Sequence, residues 1–201
     1  MSGAGGVIAT ILTAVPLTFG ATRRMHERWR ARWRLRNHDP LDADARESDL
    51  VFVSGMVRPF EETLVAPLSG RTCVAYRSRI GSYGHAETMQ LRPFVIERDD
   101  GMGRIVVDGD RAMFGVAAQP LVPRNADREA SFLARHAMSK NGRVRFSEVL
   151  VEVGAQVLVG GTLVYVPREE PPTGELLFRD PGPPDPQLVG NRESPLIIVS
   201  R

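Results

Sequence analysis

A single cysteine, Cys73, in 201 residues excludes an internal disulfide and every cysteine-rich zinc module, since structural zinc needs about four ligands, several of them usually thiolates. Histidine is almost as scarce. His26, His38, His85 and His136 are scattered without the tight spacing of a metal site, so neither a metal nor any other cofactor is expected. Lysine is reduced to Lys140, which leaves arginine to carry the positive charge. A lone cysteine in a strand-like stretch reads as a small buried hydrophobe rather than a nucleophile. The most informative absence is local: Gly3 to Ala21 contains no charged residue, and the next fifteen positions carry seven arginines against one glutamate.

At about 1.5 Å per residue, nineteen uncharged residues span roughly 28 Å against a hydrocarbon core of about 30 Å. The stretch, which includes Val7, Ile8, Ile11, Leu12, Val15, Leu17 and Phe19, is just long enough to cross a bilayer as a helix. A secretory signal places its positive charge before the apolar core, whereas Arg23 and Arg24 follow it here. Arginine beside a span marks the cytoplasmic side. The expectation is therefore a single-pass membrane protein with its N-terminus out and everything after Ala21 in the cytoplasm. Met25, Trp29 and Trp33 recur every four residues on one helical face, with Arg28, Arg30, Arg32 and Arg34 around the other sides. This pattern predicts an interfacial helix pressed on anionic lipid through Arg23, Arg24, Arg28, Trp29, Arg30 and Trp33, each arginine contributing on the order of 1 kcal/mol. An ordinary solvated basic linker is the alternative.

An arginine-rich run also raises nucleic acid as a partner. Residues 23–36 carry net +6, from seven arginines and one glutamate, while the remainder carries net −4, from nineteen basic and twenty-three acidic groups. A net-negative body argues against a polyanion partner. Three regions follow: a membrane anchor over 1–22, an interfacial helix and tether over 23–49, and a β-domain over 50–201. The tether reading rests on the acidic, Pro40-broken stretch from Asn37 to Asp49.

Within the domain, Leu50–Val57 is β-rich and interrupted by Gly55, as expected of a bulge or a close backbone approach. The turn Ala66–Gly70 leads into a strand over Arg71–Ile80, and pairing of these two strands is expected. Phe94–Glu97 and Arg104–Val107 flank a glycine-bearing turn, which is a hairpin signature. Ala112–Val116 reads as a short strand. Ala126–Met138 is predicted to be a helix capped by Asn125, with Ala130, Leu133, Ala134 and Ala137 on one face and Phe132 beside them. Strands resume over Val144–Val153 and Gln156–Val166, the second kinked at Gly160-Gly161. Glu175–Phe178 is a candidate edge strand, Pro181–Pro186 a Pro-rich loop, and Pro195–Val199 a closing strand. The fold class expected is mainly β: a small barrel-like domain with one inserted helix, preceded by a transmembrane helix.

Gly55-x-Val57, followed by Leu64-Val65-Ala66-Pro67-Leu68-Ser69-Gly70-Arg71-x-Cys73-Val74-x-Tyr76-Arg77, resembles the opening of the GIDE domain. That module lies beside the membrane in the MULAN-type mitochondrial E3 ubiquitin ligases and in prokaryotic relatives. Later blocks agree: Phe94-x-Ile96 before Gly103 and Val106-Val107-Asp108, the run from Glu148 through Leu150, Gly154, Val157, Val159 and Gly161 to Leu163, and Ser194 to Ile198. The resemblance covers roughly Leu50 to Ser200 and implies a membrane-anchored β-domain. Ligase activity in the eukaryotic family belongs to a RING, whose two zinc ions need many Cys and His, and these 201 residues with one cysteine cannot form one.

Glu87, Glu97, Asp99, Asp100, Glu148 and His85 are the titratable candidates for chemistry, and most fall in predicted turns. Ser69 lacks the strand-to-helix context of a nucleophile elbow, and Glu148 is expected to pair with Arg71 or Arg77 across the sheet. No catalytic residue is assigned. The leading expectation is a non-catalytic binding, scaffold or sensor domain at the cytoplasmic membrane face, with anionic lipid and a protein or peptide as partners. Ser69, Arg71, Tyr76 and Arg77 are its candidate ligand-binding residues, because the resemblance is strongest there. A hydrolase of unrecognised type, or a component of a ubiquitin-ligase system whose activity lies in another chain, stands as the alternative.

Overall fold

The computed structural model describes residues 27–42, 44–81, 86–116, 125–138, 144–167 and 185–200. The anchor expected over 1–22, with Arg23, Arg24 and Met25, lies outside the described residues, as does the candidate strand Glu175–Phe178. Among the described residues no helix is long and apolar enough to cross a membrane.

Residues 27–35 are helical (α1) and lead to β1 (Asp39–Pro40) and the long β2 (Leu50–Pro59). Short strands β3 (Leu64–Val65) and β4 (Thr72–Cys73) flank the Pro67–Gly70 turn, and β5 (Ala75–Ile80) and β6 (Ala86–Leu91) follow as an antiparallel pair. The expected hairpin is β7 (Phe94–Arg98) and β8 (Arg104–Gly109), after which come β9 (Ala112–Phe114) and α2 (Ala126–Arg135). The chain closes with β10 (Phe146–Val151), β11 (Gln156–Val166), β12 (Asp185–Gly190) and β13 (Leu196–Ser200).

Five of these strands close on themselves in the order β2-β7-β8-β12-β11 and back to β2. Numbered by themselves they run 1-2-3-5-4-1, with the third and fifth parallel, which is the connectivity of an OB-type Greek-key barrel. Alternation along β2 sends Val51, Val53 and Val57 inward to meet Ile96, Ile105, Val107, Val159, Leu163 and Leu188. Each such side chain contributes about 1.5–3 kcal/mol on leaving water. β11 pairs β13 along Val157–Gly160 and β12 along Thr162–Val166, so the strand changes partner at the expected Gly160-Gly161 kink.

Two insertions interrupt the barrel strands and supply the separate three-stranded sheet and α2. β3 to β6 enter between β2 and β7, while β9, α2 and β10 enter between β8 and β11. β5 lies between β10 and β6 in a separate three-stranded sheet, so the expected pairing of Leu50–Val57 with Arg71–Ile80 does not form. Both edges of β2 are already taken, by β7 and by β11. β12 is a barrel strand where a Pro-rich loop was expected to reach Pro186, because pairing with β11 and β8 compensates for the weak strand propensity of Asp, Pro and Gly.

Helix α2 starts as predicted, with the Asn125 side chain accepting from the Arg128 N–H at 3.0 Å. It ends earlier, at Arg135. Met138 N–H reaches Leu133 O and Ala137 N–H reaches Ala134 O, a Schellman closure that places Ala137 at a φ of 52°. Its buried side chains are Glu129, Phe132 and Leu133, while Ala130, Ala134 and Ala137 are exposed. The packing face is thus turned away from the alanines, because Phe132 and Leu133 have far more apolar area to bury against Leu68 and Ile80.

The stretch read as a tether is laid along the barrel. Asp39–Pro40 pair with Val51–Phe52, Leu41 is buried in the main core, and Tyr165 donates its hydroxyl to Ala45 O. Apart from Leu41 and Ala45 it offers little apolar surface, and backbone hydrogen bonds hold it, including Leu41 N–H to Phe52 O and Ser48 N–H to Leu163 O.

Candidate functional site

Helix α1 has two faces. Ala31 and Leu35 are buried on one, packed against Phe52 and Leu158 of the barrel and Ile197 and Val199 of the adjoining β13. Gly160 makes this contact possible, since a Cβ there would lie 2.5 Å from Leu35 Cδ1. At about 100° per residue, Trp29 and Trp33 stand about 200° away from Ala31 and Leu35, on the opposite side. They are 60% and 52% exposed and stack on each other with ring centroids 6.3 Å apart. Arg28, Arg30, Arg32, Arg34 and Arg36 are exposed around them.

The one acidic residue of the basic run anchors this arrangement. Glu27 binds Arg77 at 3.1 Å and Arg79 at 2.9 Å, joining the helix to β5. Burial, and then the neighbouring Arg79, lower the pKa of Arg77, whereas Glu27 raises it. Its guanidinium also lies 5.4 Å from the Phe114 ring centroid. At the other end, His38 Nδ1 meets the Arg34 carbonyl at 3.1 Å and caps the last turn.

The structure does not gather the four candidate ligand residues on one surface. Tyr76 and Arg77 are neighbours on β5, so the pleat sends them to opposite faces of the sheet. Arg77 faces α1. Tyr76 faces Ala66, Cys73 and Leu150, and its hydroxyl donates to Gln90 Oε1 at 2.8 Å. Arg71 binds Glu152 at 2.5 Å. Ser69 Oγ accepts from the Arg71 N–H, as a turn-stabilising serine does. Tyr76 borders an open polar groove of about 570 Å³ between β5, the Pro67 turn and the Arg128, Ser131 and Arg135 side of α2.

Glu148 is 1% exposed and lies opposite Ser78 in the β10–β5 register. Its partners are neither Arg71 nor Arg77. Oε1 accepts from Leu68 N–H at 3.1 Å and from the Ser78 hydroxyl at 2.6 Å, and Oε2 accepts from Ser69 N–H at 2.9 Å. Two successive backbone N–H groups of the Pro67–Gly70 turn thus form a nest around an internal anion. The segment where the resemblance is strongest has these donors engaged inside the protein. Alternation along the strands could have shown that Glu148 points inward; its partners follow from the pairing of β10 with β5, which local pattern does not reveal.

Cys73 is fully buried beside Tyr76. Burial first, then Glu148 and Glu152, push its thiol up from 9.0 to about 12. Above about pH 9 the unfolded chain releases this proton and the folded chain keeps it. The contribution is therefore full below about pH 9 and declines between there and about pH 12. In denaturant titrations across that window, the wild type is expected to lose on the order of 1 kcal/mol more per pH unit than Cys73→Ala. Parallel slopes for the two proteins would refute it.

Among the described residues, no three His, Cys, Asp or Glu side chains group as metal ligands would. Comparison with known proteins finds no matching family model, curated protein or solved structure.

Proposed function

We propose that this chain is a membrane-anchored, non-catalytic β-barrel module that acts as a binding scaffold or sensor at the cytoplasmic membrane face. The observation that carries the reading is the two-sided α1. A helix held to the protein by Ala31, Leu35 and Glu27 presents on its other side two exposed, stacked tryptophans with exposed arginines around them. Tryptophan favours the headgroup zone and arginine favours anionic lipid, so the exposed side of α1 suits a bilayer surface. Because the helix is docked, the barrel would be held in one orientation below the membrane. The uncharged stretch Gly3–Ala21 immediately ahead of α1 supplies the anchor in this reading. The polar groove beside Tyr76 is the place where a protein or peptide segment would be received. The resemblance to the GIDE domain agrees with an anchored β-domain and adds no chemistry to it.

The test uses a fragment covering residues 23–201 and flotation with vesicles. Binding to phosphatidylglycerol vesicles and little binding to phosphatidylcholine is expected. Arg28→Gln with Arg30→Gln should weaken the anionic partition about 30-fold, from two arginines at about 1 kcal/mol each. Equal binding to both lipids would defeat the headgroup argument. For the full chain, recovery in the supernatant after ultracentrifugation of lysate, with the N-terminal stretch intact, would defeat the anchor.

A further inference from the structure

Between α1 and the barrel runs a groove of about 630 Å³. Leu35, Phe52, Leu158 and Val199 give it an apolar floor, and Arg32 and Arg36 stand at its mouth. Arg36 stays in helical register with Arg32, its N–H reaching Arg32 O. Around the helix axis, at about 100° per residue, Arg32 and Arg36 fall between the buried Leu35 side and the exposed Trp29 and Trp33 side. The groove therefore opens along the border of the surface assigned to the bilayer. Its floor is already half-desolvated: Phe52 and Leu158 are only partly buried, though they pack against Ala31, Leu35, Ile197 and Val199. Ser54 lies in the lining and donates its hydroxyl to Asp99 at 2.9 Å, so the Asp99 side repels an anion and the Arg32–Arg36 side attracts one.

We propose that this groove takes one acyl chain of an anionic phospholipid from the adjoining leaflet, with Arg32 and Arg36 holding the phosphate. The inference rests on the membrane-surface reading above and deepens it, from a helix lying on lipid to a site that withdraws part of one lipid. Charge selects the ligand: an apolar trough flanked by two guanidinium groups matches a phosphate diester joined to a hydrocarbon chain, and arginine offers it paired donors. Position selects the source, since the mouth borders the side of α1 that the tryptophans would sink into the headgroup layer.

The full chain is reconstituted into vesicles containing phosphatidylglycerol with a diazirine at mid-chain, irradiated, and the adducts mapped by mass spectrometry. Adducts on Phe52, Leu158 or Val199 are expected besides those in the N-terminal stretch. Arg32→Gln with Arg36→Gln should lower the groove adducts at least fivefold while vesicle flotation persists through the N-terminal anchor. Leu158→Trp, which fills the floor, should remove them without weakening flotation, and its thermal transition would report whether the barrel is intact. Adducts confined to residues before Arg36, in a chain that still floats, would overturn the groove and leave the surface reading standing. Equal labelling by the phosphatidylcholine analogue would overturn the role given to the two arginines. Absence of flotation would instead strike the underlying membrane reading.

Discussion

Glu148→Ala is expected to lower the unfolding free energy by about 3–5 kcal/mol, a large share of the roughly 5–15 kcal/mol typical of a domain. The substitution removes the acceptor for the Leu68 and Ser69 N–H groups and for the Ser78 hydroxyl in one step. Hydrogen bonds to a charged group are worth about 1.5–3 kcal/mol each, and buried donors left without an acceptor add their own desolvation cost. Glu148→Gln keeps the volume but turns one accepting oxygen into a donor, so about 2 kcal/mol is expected. Chemical denaturation of the three proteins measures the order: wild type, then Gln, then Ala. Formate at high concentration should restore part of the loss in the alanine variant, because the nest it vacates still presents two N–H groups to a carboxylate. A fall of less than 1 kcal/mol for the alanine variant would mean that the turn does not depend on this anion.

Gly55→Ala is expected to cost about 3 kcal/mol or more and to impair closure of the barrel. A Cβ at this position would lie 2.0 Å from Glu97 O and 2.6 Å from Ile96 Cγ2. The first contact is with backbone, which cannot rotate away, so relief requires β2 and β7 to separate. Gly55 is also held on its other edge by Val157 of β11. Overpacking usually costs about 1–3 kcal/mol, and a contact with paired backbone on both edges belongs at or above the top of that range. Gly101→Ala provides the comparison: its φ is 74° and nothing stands within 4 Å, so only backbone strain of about 1–2 kcal/mol applies. Similar melting temperatures for the two variants would show that the β2–β7 approach is not tight.

These two residues differ in how far a linear reading reaches them. Gly55 announces itself, because a glycine inside Leu-Val-Phe-Val-Ser-Gly-Met-Val has few uses other than a bulge or a close approach. Glu148 is visible only as an acidic residue ahead of Val149, Leu150 and Val151, and a partner of opposite charge is the natural guess. The nest on the Pro67–Gly70 turn arises from a pairing across some seventy to eighty residues of chain. The β7–β8 hairpin, the bounds of β11, and the Asn125 cap of α2 were legible because each depends on neighbours a few residues apart.

The candidate site divides in the same way. A four-residue recurrence of tryptophan within an arginine run is a property of a single helix, and the sequence suffices to show an apolar aromatic face in a basic setting. What that helix rests on is not local. Ala31 and Leu35 look unremarkable between arginines, yet β11 and β13 receive them, and Glu27 is drawn to two arginines of β5 fifty residues away. Tyr76 and Arg77 share the segment where the resemblance is strongest, yet as consecutive residues of β5 their side chains leave opposite faces of the sheet.

Composition and short-range periodicity thus determined the absence of a disulfide framework, the charge division between a basic run and an acidic body, the β character, and the positions of most turns. Tertiary structure alone decided the barrel order, the fifth strand at Asp185–Gly190, the burial of Glu148 and the docking of α1. The physical reason is range: turns, caps and helix faces are settled by interactions within about a turn of chain, whereas strand partners and the fate of a buried charge are settled by surfaces that meet only after the chain has closed on itself.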